Sequence, residues 1–267
     1  EKVAYAKACR IQMDNQDCVS GKIVVQKQSE KYLVQNLPAV PLRRQELDEV
    51  YKLPFTRRYH PSYEALGGIP AIEEVKFSII QNRGCFGGCN FCAIQLHQGR
   101  RVTSRSEASI LEEGRRITQD PEFKGYIHDV GGPTANFRMA SCAQQMQKGM
   151  CAGGKHCLAP RPCPNLLVSH REYLGILRKL RQLPGVKKVF IRSGIRYDYL
   201  MADPDDTFFK ELVEHHISGQ LKVAPEHCAP ATLAYMGKPP VEVFNKFKDK
   251  FYQLTKKAGK KQYLVPY

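Results

Sequence analysis

Apolar and polar positions alternate along residues 21–26 and 31–36. That is the period of half-buried strands, and the two segments predict a small hairpin within residues 1–37. Pro38, Pro41, Pro54, Pro61 and Pro70 then punctuate an irregular approach, inside which residues 42–53 predict a short helix. From Val75 the rhythm changes. The apolar run 75–80 predicts a first buried strand. Ser104 with Glu107 three residues on forms a capping-box pattern and predicts a helix over 105–118. Residues 125–130 predict a second strand, ending in Gly131-Gly132-Pro133. Leu174, Leu177 and Leu180 at helical spacing place a helix over 170–183, stopped by Pro184-Gly185. Strands over 186–192, 220–224 and 262–267 and helices over 205–216 and 241–258 complete the pattern.

Strand and helix alternating at this spacing read as βαβ units, an α/β fold with a parallel sheet. Crossovers of one hand curve such a sheet into a barrel or part of one, whose site lies at the C-terminal strand ends. The cysteine loop at 85–92, the Gly-Gly-Pro turn, Ser193-Gly194 and Pro225-Glu226-His227 all follow predicted strands. They are expected to converge on one mouth.

Composition adds bounds rather than detail. The 267 residues are 42% hydrophobic and 25% charged, an ordinary globular balance for one large domain or two small ones. No apolar stretch approaches the roughly 20 residues of a membrane span, and no signal-peptide pattern opens the chain. Beginning at Glu1 and ending straight after an apolar run, the chain reads as a piece of a longer protein. Its formal charge is +15. A cluster on three thiolates and a metal on four would lower it to roughly +12 by charge counting, a weak pointer to anionic partners. Seven of the ten cysteines fall between positions 85 and 163. Clustering of that kind, without a secretory signal, favours metal binding in a reducing cytoplasm over a disulfide framework.

The run N-R-G-C-F-G-G-C-N-F-C over residues 82–92 carries the sharpest chemistry. Cys85, Cys89 and Cys92, spaced CxxxCxxC, can hold three irons of a cubic 4Fe-4S cluster and leave the fourth open to a small molecule. Cys142, Cys151, Cys157 and Cys163 form a second group, C-x8-C-x5-C-x5-C, in a Gly- and Pro-rich stretch that lacks periodicity. A loop of this length needs something to hold it. Four thiolates on zinc or an auxiliary iron-sulfur cluster would do so, with His156 able to replace one ligand. Ordinary buried or free cysteines and a redox disulfide are the alternatives.

Arg192, Ser193 and Arg196 after the third strand, and Glu226 and His227 after the fourth, are candidates for ribose, carboxylate or substrate contacts, set against plain strand-end hydrogen bonds. His128 and Asp129 lie on the second strand and suit a polar network. Cys228 reads as a small buried hydrophobe, and Cys9 and Cys18 carry no motif. Arg43-Arg44, Arg57-Arg58 and residues 256–261 read as solvated basic faces. Arg100-Arg101, soon after the cysteine loop, can instead meet an anionic ligand.

Cys85-x3-Cys89-x2-Cys92 with Phe91, placed after a first strand, resembles the radical S-adenosylmethionine (radical SAM) superfamily. Gly131 and Gly132 resemble its Gly-Gly-Glu turn, whose backbone carbonyls receive the SAM amino group; Pro133 departs from that pattern, so only the two glycines are carried over. The phrases Q-N-R-G-C (81–85), H-D-V-G-G-P-T-A-N (128–136) and V-A-P-E-H (223–227) are similar to the YgiQ family of long bacterial radical SAM proteins. The resemblance covers most of residues 35–267. It implies a partial (β/α)6 TIM-like barrel over 71–267, truncated and carrying a Cys-rich insertion at about 135–165. Residues 1–70 become a strand-rich extension, the end of a larger N-terminal region. It also implies a 4Fe-4S cluster, SAM as co-substrate and an electron donor such as flavodoxin or ferredoxin. The chemistry implied is a 5′-deoxyadenosyl radical that abstracts hydrogen from an unidentified substrate, anionic molecules and RNA among the candidates. Phe91 is then expected near the adenine, Ser193 and Glu226 around the cofactor, and Lys238 on the SAM carboxylate. The competing expectation is a non-enzymatic metal or iron-sulfur module that binds nucleic acid or a partner protein.

Overall fold

A computed structural model describes residues 1–151, 153 and 155–267. Ahead of the first parallel strand lie helix α1 (Lys2–Asp14), the hairpin β1 (Val24–Gln28) and β2 (Lys31–Gln35), helix α2 (Arg44–Lys52), a 3-10 turn (Pro61–Leu66) and helix α3 (Ile72–Val75). The hairpin forms as its alternation predicts, with Val25 opposite Val34. The expectation of a strand-rich extension is nevertheless wrong, because most of its ordered residues are helical. Lys2–Asp14 holds three alanines and no glycine or proline, and helix propensity decides where no alternation competes.

The first parallel strand, β3, is only Ser78–Ile80, because Val75 is taken up by α3. It runs into β4 (Asn82–Arg83), the cysteine loop, the short helix α4 (Ile94–His97) and β5 (Thr103–Ser104), which returns antiparallel to β4. Ser104 is therefore in a strand, its hydroxyl donating to the Arg138 carbonyl at 2.7 Å. The helix α5 (Glu107–Thr118) is capped instead by Ser106, whose hydroxyl accepts from the Ser109 N–H at 3.1 Å. The predicted capping box at Ser104 is corrected by two residues.

The second predicted strand divides into β6 (Tyr126–Ile127) and β7 (Asp129–Gly131). Helices α6 (Ala143–Lys148) and α7 (Arg171–Arg181), strand β8 (Lys188–Val189), and helices α8 (Tyr197–Met201) and α9 (Thr207–Glu211) follow. A π-helical turn (Leu212–His216) leads to β9 (Gln220–Val223), α10 (Pro230–Met236), α11 (Val241–Lys257) and β10 (Tyr263–Pro266).

The pairs β3–β7, β6–β8 and β9–β10 are all parallel, as the alternation requires. Phe190 N–H bonds Ile127 O at 2.9 Å and Ile191 N–H bonds His216 O at 2.9 Å, so neighbouring segments also touch beyond the ladders. The fold is mixed α/β, built of two-stranded sheets, and no closed barrel forms among the described residues.

The main core packs Ile79, Ile127, Val130, Val189 and Leu221 of the strands against the helices. Helix α7 supplies Tyr173, Leu174, Leu177 and Leu180 from one face, and α11 supplies Phe247 and Phe251 one turn apart. A second, smaller cluster joins Phe86, Val102, Phe137, Leu158 and Tyr199, and ties the cysteine loop to the insertion. The buried Glu113 meets both Arg57 and Arg105.

His216 is fully buried. Its Nδ1 donates to the Val189 carbonyl at 2.8 Å, while Nε2 has no partner among the described residues. Burial pushes its pKa down to about 4. A histidine depressed on folding binds its proton more readily in the unfolded chain, so stability is lost as pH falls from about 6.5 towards 4. The loss attributable to His216 is up to about 3 kcal/mol. Denaturant unfolding at pH 7 and pH 5 is expected to show this slope, and His216→Leu to flatten it.

Candidate metal centre

The cysteine loop leaves β4 through Gly84, whose φ of +80° suits glycine and where a Cβ would stand 2.2 Å from the Arg101 carbonyl. Backbone bonds fix the loop: Cys85 N–H to Gly99 O at 3.1 Å, Cys92 N–H to Cys89 O at 3.1 Å, and Asn90 N–H to Met236 O at 3.0 Å. The Asn90 side chain also donates to the Tyr235 carbonyl at 2.8 Å. Phe86 anchors the loop from beneath, stacked on Phe137 at 3.8 Å between ring centres. Phe91, by contrast, is exposed.

Each of two loop thiols meets a polar group from another strand end. Cys85 Sγ lies 3.3 Å from Thr134 Oγ1 in the Gly-Gly-Pro-Thr turn. Arg196 Nη1 donates to Cys89 Sγ at 3.1 Å, while its Nε and Nη2 grip the Asp198 carboxylate at 2.7 and 3.0 Å. Burial pushes the Cys85 thiol up, partly offset by the Thr134 bond. Burial also works against the Arg196 charge, but Asp198 and Cys89 outweigh it and hold the guanidinium more firmly protonated than usual. Asn136 secures this arrangement, with Oδ1 accepting from Arg196 N–H at 2.8 Å.

The glycine turn is tight for steric rather than dihedral reasons. A Cβ on Gly131 would stand 2.1 Å from Ser193 Oγ, and one on Gly132 would stand 1.9 Å from Asn82 Oδ1. That Asn82 oxygen is buried and has no hydrogen-bond partner among the described residues. Ser193 donates its hydroxyl to Asp129, whose other oxygen accepts from the Arg192 and Ser193 N–H groups. Glu226 adopts a left-handed backbone with φ of 72°, an uncommon conformation for a side-chain-bearing residue. Its carboxylate lies 4.0 Å from Lys238 Nζ. Burial, then Arg196, lowers the Lys238 pKa, with Cys89, Asp198 and Glu226 acting against them.

The structure thus brings Gly131 against Ser193, Gly132 against Asn82 at the entry to the cysteine loop, and Glu226 to within 4.0 Å of Lys238. Other candidates take structural places. His128 packs edge-on to Phe77, and His227 Nδ1 accepts from Ala229 N–H at 2.9 Å. Arg192 pairs with Glu74 at 2.7 Å, Arg58 bonds Glu122, and Arg44 lies 3.4 Å from Glu172. Cys228 is exposed, not buried, because the chain turns outward before α10. Asp198, Thr134, Asn82 and Asn136 were not singled out by sequence reasoning. The R-x-D spacing of Arg196 and Asp198 was the one local signal for the first of them.

The second cysteine group lies beside the first. Cys142, Cys151, Cys157 and Cys163 all line one cavity of about 830 Å³, together with Arg100 and His156. Burial raises the Cys157 thiol, against a hydrogen bond from Ser141. Arg100 is buried and donates to the Lys155 carbonyl at 3.0 Å. Arg100 and His156 are also the nearest atoms to the open side of Gly88, at 3.2 and 3.1 Å from a built Cβ. All ten cysteines are free thiols. Among the described residues, no three Cys, His, Asp or Glu side chains are gathered around a single-ion position.

A family model described as Radical SAM N-terminal matches residues 1–78. Over its whole length the chain is 60% identical to a UPF0313 protein of Clostridium perfringens (strain ATCC 13124), covering 40% of that protein. It is 58% identical over 266 residues to UPF0313 proteins of Clostridium botulinum strains Okra and 657, covering 41% and 42% of them. The chain therefore spans about two-fifths of the length of these relatives; it is similar to UPF0313 proteins over its whole length, and its first 78 residues match the Radical SAM N-terminal model.

Proposed function

We propose that this chain is the cluster-bearing part of a radical SAM enzyme, with Cys85, Cys89 and Cys92 as ligands of a 4Fe-4S cluster whose fourth iron takes SAM. The observation that carries this reading is the setting of the loop thiols. Three of them sit on one short, backbone-fixed loop at a strand end, with the Arg196 guanidinium on Cys89 and the Thr134 hydroxyl on Cys85. Each group is placed to hydrogen-bond a sulfur that is held on a cluster.

When bound, the cluster and SAM supply one-electron cleavage of the sulfonium, giving methionine and a 5′-deoxyadenosyl radical for hydrogen abstraction. The chain's own residues bind and orient. Gly131 and Gly132 leave their backbone open, and the unpartnered Asn82 oxygen beside them is an acceptor suited to the SAM ammonium. Lys238 supplies a buried cation for the SAM carboxylate, held near Cys89 by Glu226. Ser193, braced by Asp129, would hold the ribose, and the exposed Phe91 ring would cover the adenine.

In this reading the parallel strands form an open arc of a (β/α)6 barrel over 71–267, with residues 1–70 as an extension and 135–165 as a cysteine-rich insertion. The electron donor is a flavodoxin or ferredoxin, the setting is the reducing cytoplasm, and the charge of +15 favours an anionic substrate, RNA included. No described helix is long and apolar enough to cross a membrane. The test is anaerobic reconstitution of the full-length protein with iron and sulfide, then dithionite and SAM. The reading expects 5′-deoxyadenosine; its absence from fully loaded protein would leave a structural metal module.

A further inference from the structure

We propose that Cys142, Cys151, Cys157 and Cys163 hold a second iron-sulfur cluster, in the cavity between the insertion and the cysteine loop. The assignment of the first site is not needed for this, since the second group stands on its own residues.

Four observations support it. First, these four thiols are separated by up to 21 positions in the chain, yet all line the same cavity of about 830 Å³. The Leu167 N–H bonds the Ser141 carbonyl at 2.7 Å and closes the insertion upon itself, and Cys163 N–H bonds Cys157 O at 2.9 Å. Second, the cavity wall is cationic. Arg100, Lys148, Lys155 and Arg161 line it and, among the described residues, no carboxylate does. Four thiolates on a cluster carry a net charge of roughly −2, which such a wall neutralises. Third, α6 and α7 are separated by 22 positions, and the described residues among them form no regular element. A connection of that length needs an internal tie, and a cluster held by four thiolates is one.

The fourth observation separates a cluster from zinc. A zinc ion draws four sulfurs into one sphere at about 2.3 Å from the metal. The four thiols line a cavity of about 830 Å³, which has room for several metal atoms rather than one. Four thiolates spread around a cavity match a cluster, in which separate irons each take one ligand.

The two cysteine groups would then share a wall. Arg100 and His156 line the large cavity and also close over Gly88 of the first loop. A smaller cavity of about 150 Å³ is lined by Gly88 and Asn90 on one side and Cys151 on the other.

The test is an iron and sulfide count on the full-length protein after anaerobic reconstitution. Wild-type protein is expected to hold about eight irons per chain, and the Cys85→Ala/Cys89→Ala/Cys92→Ala variant about four. The iron remaining in that triple variant should give an EPR signal, after reduction, that added SAM does not change. Adding Cys142→Ala and Cys157→Ala should remove it. About four irons in the wild-type protein with none in the triple variant would overturn the proposal, whatever the multiple variants do to folding. One zinc per chain persisting in the triple variant, in place of iron, would overturn it equally.

Discussion

Full-length protein carrying Cys85→Ala, Cys89→Ala or Cys92→Ala should form no 5′-deoxyadenosine above the level seen without protein. Each substitution removes one of three ligands, and the remaining two cannot hold a cubane and leave an open iron. The fold should survive, because the loop is held by other means. Its backbone is tied to Gly99 and Met236, and its weight in the core comes from Phe86 stacked on Phe137. Thermal midpoints of the three apo variants should therefore stay close to that of the apo wild type. Cys228→Ala is the matched control: this thiol is exposed and should leave both cofactor cleavage and iron content unchanged. Product formation by any of the three loop variants at wild-type rate would remove that cysteine from the ligand set.

Arg196→Met should be among the most destabilising single changes in the chain. Arg196 and Asp198 are both almost wholly buried and joined by two bonds, at 2.7 and 3.0 Å. Removing one partner strands a charge in the interior, which costs about 3–5 kcal/mol. The double variant Arg196→Met/Asp198→Leu should recover most of that loss, since an apolar pair of similar volume removes the stranded charge. Urea unfolding of the two single variants and the double variant measures the coupling. The same arginine bonds Cys89, and loss of an outer-sphere bond of this kind lowers metal affinity by about 10–100-fold. The double variant should thus refold well and still bind iron poorly. Equal recovery of stability and iron affinity would reduce Arg196 to a structural residue.

Much of the fold could be read from periodicity. The leucines of α7 and the apolar strands near 79, 127, 189 and 221 follow the 3.6 and 2 periods closely, and their parallel pairing follows from the helices between them. Some elements escaped: α1, α8 and α10 are shaped by propensity or by tertiary packing rather than by a long amphipathic stripe. The cap at α5 was misplaced because two serines stand two positions apart, and only the pairing of Ser104 with the strand before the cysteine loop decides between them. The cysteine spacing and the glycine turn were legible because both are local patterns. The groups that set the environment of those thiols were less so. Arg196 and Cys89 are 107 positions apart and Thr134 and Cys85 are 49 apart, and contacts at such separation leave no spacing to read. For the same reason the insertion could be read as a set of possible ligands, but its closure over Gly88 through Arg100 and His156 required the fold.

The central claim is that three thiols leave one iron of the cluster free for SAM. EPR of the reduced, anaerobically prepared full-length protein, titrated with SAM, tests it most directly. The account predicts a cluster signal that shifts with saturable dependence on SAM in wild-type protein and is absent from the Cys89→Ala variant. The absence of any SAM-responsive cluster signal from the wild type, or a SAM-responsive one that persists without Cys89, would contradict it.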